Sequence, residues 1–459
     1  MNHLGIDIPV QNMPELDPGF IPLGKFFSAY LQGAEKPLDI AVERSGGQVA
    51  VYRTRIHGTP EFAQADIYYV DRIVKMLLWM KGGFRVYLSG DQGAYEAIRD
   101  AYRPGGSRAF DAQFMSDVYE QPFQVVLCDQ VPQEKSSPQS VGRHLAGCRI
   151  GFDAGGSDRK VSAVIDGEPV FSEEVVWFPK TNSDPDYHYQ GIVSALKSAA
   201  AHMPRVDGVG ISSAGIYIEN RTMVASLFLQ VPRDQFQAKV KDIYIRAVRD
   251  TFGDIPYVVA NDGDVSALAG AMSLEENNIL GMAMGTSEAV GYVDGQGNIT
   301  GWLNELAFAP VDASPAAMAD EWSGDIGCGV KYFSQDAVIK LAPAAGIELD
   351  PALSPAEKLK AVQERMEGDD PGAQAIYRSI GVYLGHTLAL YHHFYGFSHV
   401  LLLGRVMSGK GGDTILATCN QVLSREYPEI AGQIRASLPD EKARRVGQSV
   451  AAASLPDLA

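Results

Sequence analysis

The sequence predicts an α/β protein of two lobes, each built on a mixed sheet, with a further α/β unit in front of them. Three observations carry this. Short apolar strands alternate with helix-periodic segments from residue 148 onward. Small-residue turns follow several of those strands. A polar, proline-bearing stretch at 130–147, QVPQEKSSPQSVGRHLAG, separates them from the earlier unit. The 459 residues are 46% hydrophobic and 21% charged, the composition of a folded chain.

Residues 1–35 are rich in Pro and Gly and read as irregular. LDIAV, SGG and QVAVYRTRI predict a β-hairpin at 38–56, and ADIYYVDRIVKMLLWM a helix over 64–79. FRVYLSG and PFQVVLCD read as strands on either side of a short helix, YEAIRDAYR. After the boundary, CRIGFDAGG is a strand, and KVSAVIDGEPVFSEEVVWF predicts two more around the Asp166-Gly167 turn. A helix near 188–203, the strand VDGVGISSAG, a helix over 233–252, the strand IPYVVAND and a helix through ALAGAM follow. NNILGMAMGTSEAVGYVDGQGNITGW predicts two or three strands. The last third is mostly helical, with one apolar strand, HVLLLGR, at 399–405. The expected divisions are 1–147, 148–275 and 276–459.

The formal net charge is 39 − 56 = −17, which disfavours nonspecific binding to nucleic acid or an anionic membrane. It does not disfavour phosphorylated ligands, which backbone N–H groups bind locally. Cys128, Cys148, Cys328 and Cys419 are scattered, so neither a disulfide framework nor a cysteine-rich metal site is expected. The N-terminus lacks the pattern of a signal peptide, and no apolar run is long enough to span a membrane. The expected compartment is the cytoplasm.

Four segments carry candidate chemistry. Asp153-Ala154-Gly155-Gly156-Ser157 closes a strand. Asp153 suits Mg²⁺, and the glycines with the Ser157 hydroxyl suit phosphate oxygens. An ordinary tight hairpin would use the same glycines. Met284-Gly285-Thr286-Ser287 is a second small-residue turn at a strand end. LLLGRVMSGKGGD places Gly404 at the end of a strand, suited to a base or ribose, with Gly409, Gly411 and Gly412 in a loop beyond it. Lys410 reads as solvent-facing. In VVANDGDVSALAGA, Asp262 serves either as a helix N-cap or as the base that takes a proton from a hydroxyl oriented by Asn261. Asp264 reads as a solvated first-turn acid.

Together and in this order, these segments resemble the sugar kinase/hsp70/actin superfamily, and within it the bacterial ROK family (repressor, open reading frame, kinase). DAGGS resembles that family's D-x-G-G-T, and VDGVGISSAGIY its strand and loop with the pattern I-G-[IV]-x-x-P-G, Ala214 standing for the proline. Asn261-Asp262-Gly263-Asp264 is similar to N-D-A-N, MGTSEAVGYVDGQGNITGW to the G-T-G strand hairpin, and Asn304-Glu305-Leu306-Ala307-Phe308 to G-E-[IL]-G-H. The likeness covers about 148–440. It implies the two-lobed actin-like ATPase (ribonuclease H-like) fold, ATP and Mg²⁺ as cofactors, and phosphoryl transfer to a sugar. It also implies Asp262 as catalytic base, with Asn261 and Glu305 as sugar contacts. Asp153, Gly155, Gly156, Ser157, Gly285, Thr286 and Gly404 would then serve the nucleotide.

The departures are specific. Phe308 stands at the family's His. Of the zinc-holding cysteines only Cys328 remains, so no zinc site is expected. Val330 stands where a sugar-contacting Glu is usual. These losses put the usual hexose in doubt and motivate a rival reading, a non-catalytic sugar or metabolite sensor. A third reading is an ATPase or acyl-phosphate kinase. Residues 1–147 have no counterpart in a minimal kinase and do not resemble a winged-helix DNA-binding arm. His386, His392 and His393 read as core or interface histidines, and Trp302 and Trp322 as packing residues beside the substrate segment. The aromatic helix around 391–397 leaves a homodimer open. LPDEKARR reads as a charged surface helix.

Overall fold

The structure, a computed structural model, describes residues 1–136, 141–439 and 447–458. The LPDEKARR segment lies largely outside them. Two compact units divide the chain. One comprises the described residues of Met1–Ser137, Met282–Val290 and Trp302–Leu438, the other those of Pro138–Gly281, Gly291–Gly301 and Pro439–Ala459. These limits differ from the divisions at 147/148 and 275/276, because the unit that begins the chain also takes in most of its last third.

In the unit that holds residues 1–136, a four-stranded sheet runs in the order Gln48–Ile56, Lys36–Arg44, Arg85–Ser89, Gln124–Leu127. The first two strands are the expected hairpin, antiparallel in register from Arg44↔Gln48 to Lys36↔Ile56. The helix Ala63–Lys81 is buried almost all round, through Tyr69, Ile73, Met76, Trp79 and Met80. It stops at Gly82, whose φ of +80° only glycine holds without strain. Two helices escape the sequence reading. Leu23–Tyr30 lies in the stretch read as irregular and buries Leu23, Phe26, Phe27 and Tyr30. Ala109–Tyr119 follows the short helix Gln92–Tyr102. The same unit carries the long helix Pro371–Tyr395, packed along Gly409–Glu426. The three late glycines are therefore not a loop: Gly409, Gly411 and Gly412 form that helix's first turn. A Cβ on Gly411 would meet the Tyr377 ring at 2.5 Å, so close helix packing explains the glycine.

The other unit is organised by a five-stranded sheet in the order Tyr257–Asn261, Gly208–Ser213, Cys148–Ala154, Asp158–Ile165, Glu168–Val176. The first three strands are parallel, and the last two continue as an antiparallel meander. Alternation sends Ile150, Phe152, Val209 and Ile211 into a core with Ile192 and Leu196 of the helix Pro185–Ala200, and with Tyr244, Ala247 and Val248 of Ile243–Phe252. Gly151 and Gly210 are register partners on the opposite face. Their missing side chains admit the backbone of the helix Gln448–Ala453, and a Cβ on either would overlap its carbonyls. The helix expected over 233–252 is broken into Arg233–Gln235, a π-turn at Phe236–Val240 and Ile243–Phe252. The Lys241 carbonyl accepts from Thr222 N–H at 2.8 Å. Ile279–Met284 and Glu288–Val293 are the only two strands of their segment, Ile299 adding an isolated bridge to Val293.

Candidate functional site

Parallel strands align their C-terminal ends, and in this sheet four polar residues lie there. Asp153 is the register partner of Ser212, and Asn261 that of Ser213. Ser212 Oγ donates to Asp153 Oδ1 at 2.9 Å, and Gln448 Nε2 donates both to Ser212 Oγ at 2.9 Å and to the Asp262 carbonyl at 3.1 Å. A side chain from the last helix thus ties the two strand ends together.

Asp262 opens the helix Asp262–Leu274, and the cap is Asn261, whose Oδ1 accepts from Gly263 N at 2.7 Å. The N-cap role foreseen for Asp262 belongs to its neighbour. Asn261 Nδ2 also donates to the Gly215 carbonyl at 2.7 Å, which fixes the amide's direction. Asp262 Oδ1 accepts from Gly263 N at 3.0 Å. Burial raises its pKa above the ordinary aspartate value, opposed by that N–H and by the charge of Lys180. Asp153 is pushed up to about 6, mainly by burial, with Asp262 adding to the rise and Ser212 opposing it. Two carboxylates are close enough to feel one another at the strand ends. Asp264 is not the solvated acid expected. It is 5% exposed, and its Oδ1 accepts from Tyr292 N at 3.1 Å.

The Gly155-Gly156-Ser157 turn is built by packing rather than by positive φ. Trp177, buried beside it, donates from Nε1 to the carbonyls of Gly155 at 2.8 Å and Asp158 at 3.1 Å. A Cβ on Gly155 would lie 2.6 Å from the Asp158 carbonyl oxygen. Over Gly156 lies Lys180, its Nζ 2.9 Å from where a Cβ would be. Lys180 escapes the sequence reading, because it sits two dozen residues beyond the turn with no motif around it. Its exposed amine bears on both the turn and Asp262. A glycine turn, a nearby lysine and a half-buried aspartate form a donor set that fits a phosphate chain with Mg²⁺.

The remaining candidates fall in the other unit. Gly285 N donates to the Ser287 carbonyl at 3.0 Å, closing the second turn on itself, and Gln335 N donates to the Gly285 carbonyl at 2.8 Å. Gly404 has φ +94° and lies against the backbone of Met284, so any side chain there would collide. Thr286 follows Gly285 in that turn. Glu305 precedes the single turn Leu306–Phe308. Glu288 is a residue that motif reasoning passed over. It is buried, its Oε2 has no hydrogen-bond partner, and Tyr391 Oη reaches Oε1 at 3.3 Å. Burial pushes it up to about 8, and nearby Glu305 adds to the rise.

Of the histidines read as core or interface residues, His386 is buried, His392 is half-buried and His393 is exposed. His386 bonds Tyr427 Oη and the Asn12 carbonyl, while His392 and His393 diverge to the Phe397 carbonyl and Tyr52 Oη. Lys410 pairs with Asp369 at 2.8 Å on the surface. Trp322 is not the packing residue expected, being 73% exposed, while Trp302 does pack, with Lys81 over its ring. Among the described residues, no group of three or more His, Cys, Asp or Glu is placed to hold a metal, and no helix is long and apolar enough to cross a membrane.

Comparison with solved structures gives the fold a counterpart. A ROK hexokinase from Thermus thermophilus superposes with a TM-score of 0.51 at 18% identity, over 67% of this chain and 97% of its own. The fold is that of the ROK proteins. A ROK-family transcriptional regulator, described as a homologue of the E. coli MLC protein, matches with a TM-score of 0.52 at 17% identity, over 67% of this chain and 78% of its own. No protein-family model matches the sequence, and no curated protein matches it. The ROK fold thus spans both an enzyme and a regulator, and the site residues decide what this chain does with it.

Proposed function

We propose that this protein is a divergent member of the ROK family that transfers a phosphoryl group from Mg-ATP to a hydroxyl of a sugar or sugar-like molecule. The observation that carries the reading is the set of strand ends beside the Gly155–Ser157 turn, where Ser212 donates to Asp153, Gln448 ties Ser212 to the Asp262 carbonyl, and Asn261 caps the helix that Asp262 opens. Bound Mg-ATP would supply the transferable phosphoryl group and a metal to neutralise its oxygens. Asp153 would hold the metal, directly or through water. The backbone N–H groups and hydroxyl of Gly155, Gly156 and Ser157, with the Lys180 amine, would hold phosphate oxygens. By the family resemblance, Gly285, Thr286 and Gly404 would also serve the nucleotide. Asn261, held by Gly215, would orient the acceptor hydroxyl, Glu305 would bind a second hydroxyl, and Asp262 would take the proton. The raised pKa of Asp262 makes it a better base than an exposed aspartate.

The test is ADP release from Mg-ATP across hexoses, amino sugars, N-acyl sugars and polyols, with Asp262→Asn in parallel. Stimulated release that falls by about 10²–10⁴-fold in the variant, with ATP binding kept, is the expected result. Near-normal turnover by Asp262→Asn removes the base assignment. The second reading, a non-catalytic sugar sensor, is favoured by the fold match to a transcriptional regulator and by Phe308 and Val330 at polar positions of the resemblance. Ligand binding without ATP binding or turnover would select it.

A further inference from the structure

The segment that carries Glu305 is held from three sides by the first 120 residues of the chain. The first hold is on its backbone. Asn304 N and Glu305 N donate to the Met80 and Trp79 carbonyls, both at 3.0 Å, so this segment satisfies the open end of the helix Ala63–Lys81. The second is aromatic. The Phe308 ring lies 4.4 Å from Trp79, 5.7 Å from Phe110 and 6.3 Å from Phe114, centroid to centroid.

The third hold is ionic and buried. Asp325 receives Arg108 at 2.7 Å, Arg72 at 3.0 Å and Lys75 at 3.1 Å. Asp71 pairs with Arg72 at 2.7 Å and Arg108 at 2.8 Å, and Asp111 pairs with Lys75 at 3.1 Å. Three cations thus meet three carboxylates, so the cluster is neutral while no member lacks a partner. From Asp325 the restraint runs back to the substrate segment through the backbone. Val311 N donates to the Gly327 carbonyl at 2.8 Å, and Gly329 N to the Ala309 carbonyl at 2.9 Å. Cys328 lies inside this loop, its thiol pushed up to about 12 by burial, so it stays a neutral packing group.

We propose that residues 63–119 form an internal clamp that positions Glu305, with Arg72, Lys75 and Arg108 acting as positioning residues through Asp325. The loop that the family resemblance would tie with a metal is here tied by side chains of the chain's own N-terminal segment. The clamp explains why that segment shares a compact unit with residues 302–438. Its bearing on catalysis rests on the proposed role of Glu305, but the clamp itself can be read without substrate.

Amide hydrogen exchange on the full chain tests it. In Asp325→Asn the Asn304 and Glu305 amides should exchange at least about 10-fold faster than in the native protein, while amides of Pro371–Tyr395 keep their protection. Asp325→Glu, which restores the charge, should restore much of the protection. If Asp325→Asn does not fold, Phe308→Leu reads the aromatic hold by the same amides. Unchanged protection at 304 and 305, or a loss shared equally with Pro371–Tyr395, overturns the clamp. Once an acceptor is found, Asp325→Asn should raise the acceptor KM at least several-fold and leave the Mg-ATP KM unchanged. A rise in both would mean general damage and overturn the positioning role.

Discussion

Glu288 shows how much a single buried atom can set. Its carboxyl has one weakly placed donor, and Oε2 points toward Gly329, where any Cβ would overlap it. With a folded pKa of about 8 against an ordinary 4.5, the native state keeps a proton that the unfolded chain loses between those values. The unfolded state then binds fewer protons, so stability falls as pH rises through this window. Glu288→Gln removes the titration and keeps the shape. The variant should therefore gain on the native protein by about 1.4 kcal/mol per pH unit between about 4.5 and 8, read from denaturation midpoints. A stability gap that does not change with pH would show that Glu288 is charged in the fold. At the same scale, Asp262 is legible from its place between an apolar strand and a helix, but its cap is not. Only the backbone direction decides that Asn261 caps while Asp262 keeps an oxygen for other work.

Among elements, the pairing of Gly151 with Gly210 decides most. Each is ordinary in sequence, a glycine within an apolar strand. In register they make a flat floor on which the backbone of Gln448–Ala453 rests. Gly210→Ala should cost at least about 1–3 kcal/mol, since backbone rather than a mobile side chain must yield. Its melting temperature should fall clearly, and Gly253→Ala is no fair control because of its positive φ. Gly432→Ala, where no atom lies within 4 Å of the new Cβ, should leave the midpoint near native. Equal midpoints for Gly210→Ala and the native protein would mean that the last helix is loosely held. The strands at 148–176 were readable because alternation and the Asp166-Gly167 turn agree. The helix Leu23–Tyr30 was not, because Pro and Gly around it outweigh an eight-residue apolar period, and its burial against other elements is what forms it. The π-turn at 236–240 has the same origin: a helical pattern over 233–252 yields to a hydrogen bond from Thr222, far away in sequence.

Across the whole molecule, each compact unit is assembled from chain segments far apart in sequence. A fragment beginning at residue 148 would keep every motif of the family resemblance. It would lose Trp79, Phe110, Arg72, Lys75 and Arg108, leaving Phe308 uncovered and Asp325 without its cations. Such a fragment should be aggregation-prone and lack a single cooperative melting transition. A soluble, cooperatively melting 148–459 fragment would show that the N-terminal segment is a separable module.

Local pattern determined most of the order of strands and helices after residue 148, though not the short strands Ile216–Ile218, Arg221–Val224 and Arg435–Ser437, together with the two glycine turns and the Asp153 and Asn261-Asp262 positions at strand ends. These follow from side-chain period and turn chemistry, which act over a few residues. The tertiary structure alone decided that Gln448 ties Ser212 to Asp262, that Lys180 covers Gly156, and that Asp264 is buried. It alone revealed that residues 63–119 hold the Glu305 segment. Each of these joins residues brought together by packing, and no spacing along the chain encodes a contact whose partners meet only when sheets and helices have closed.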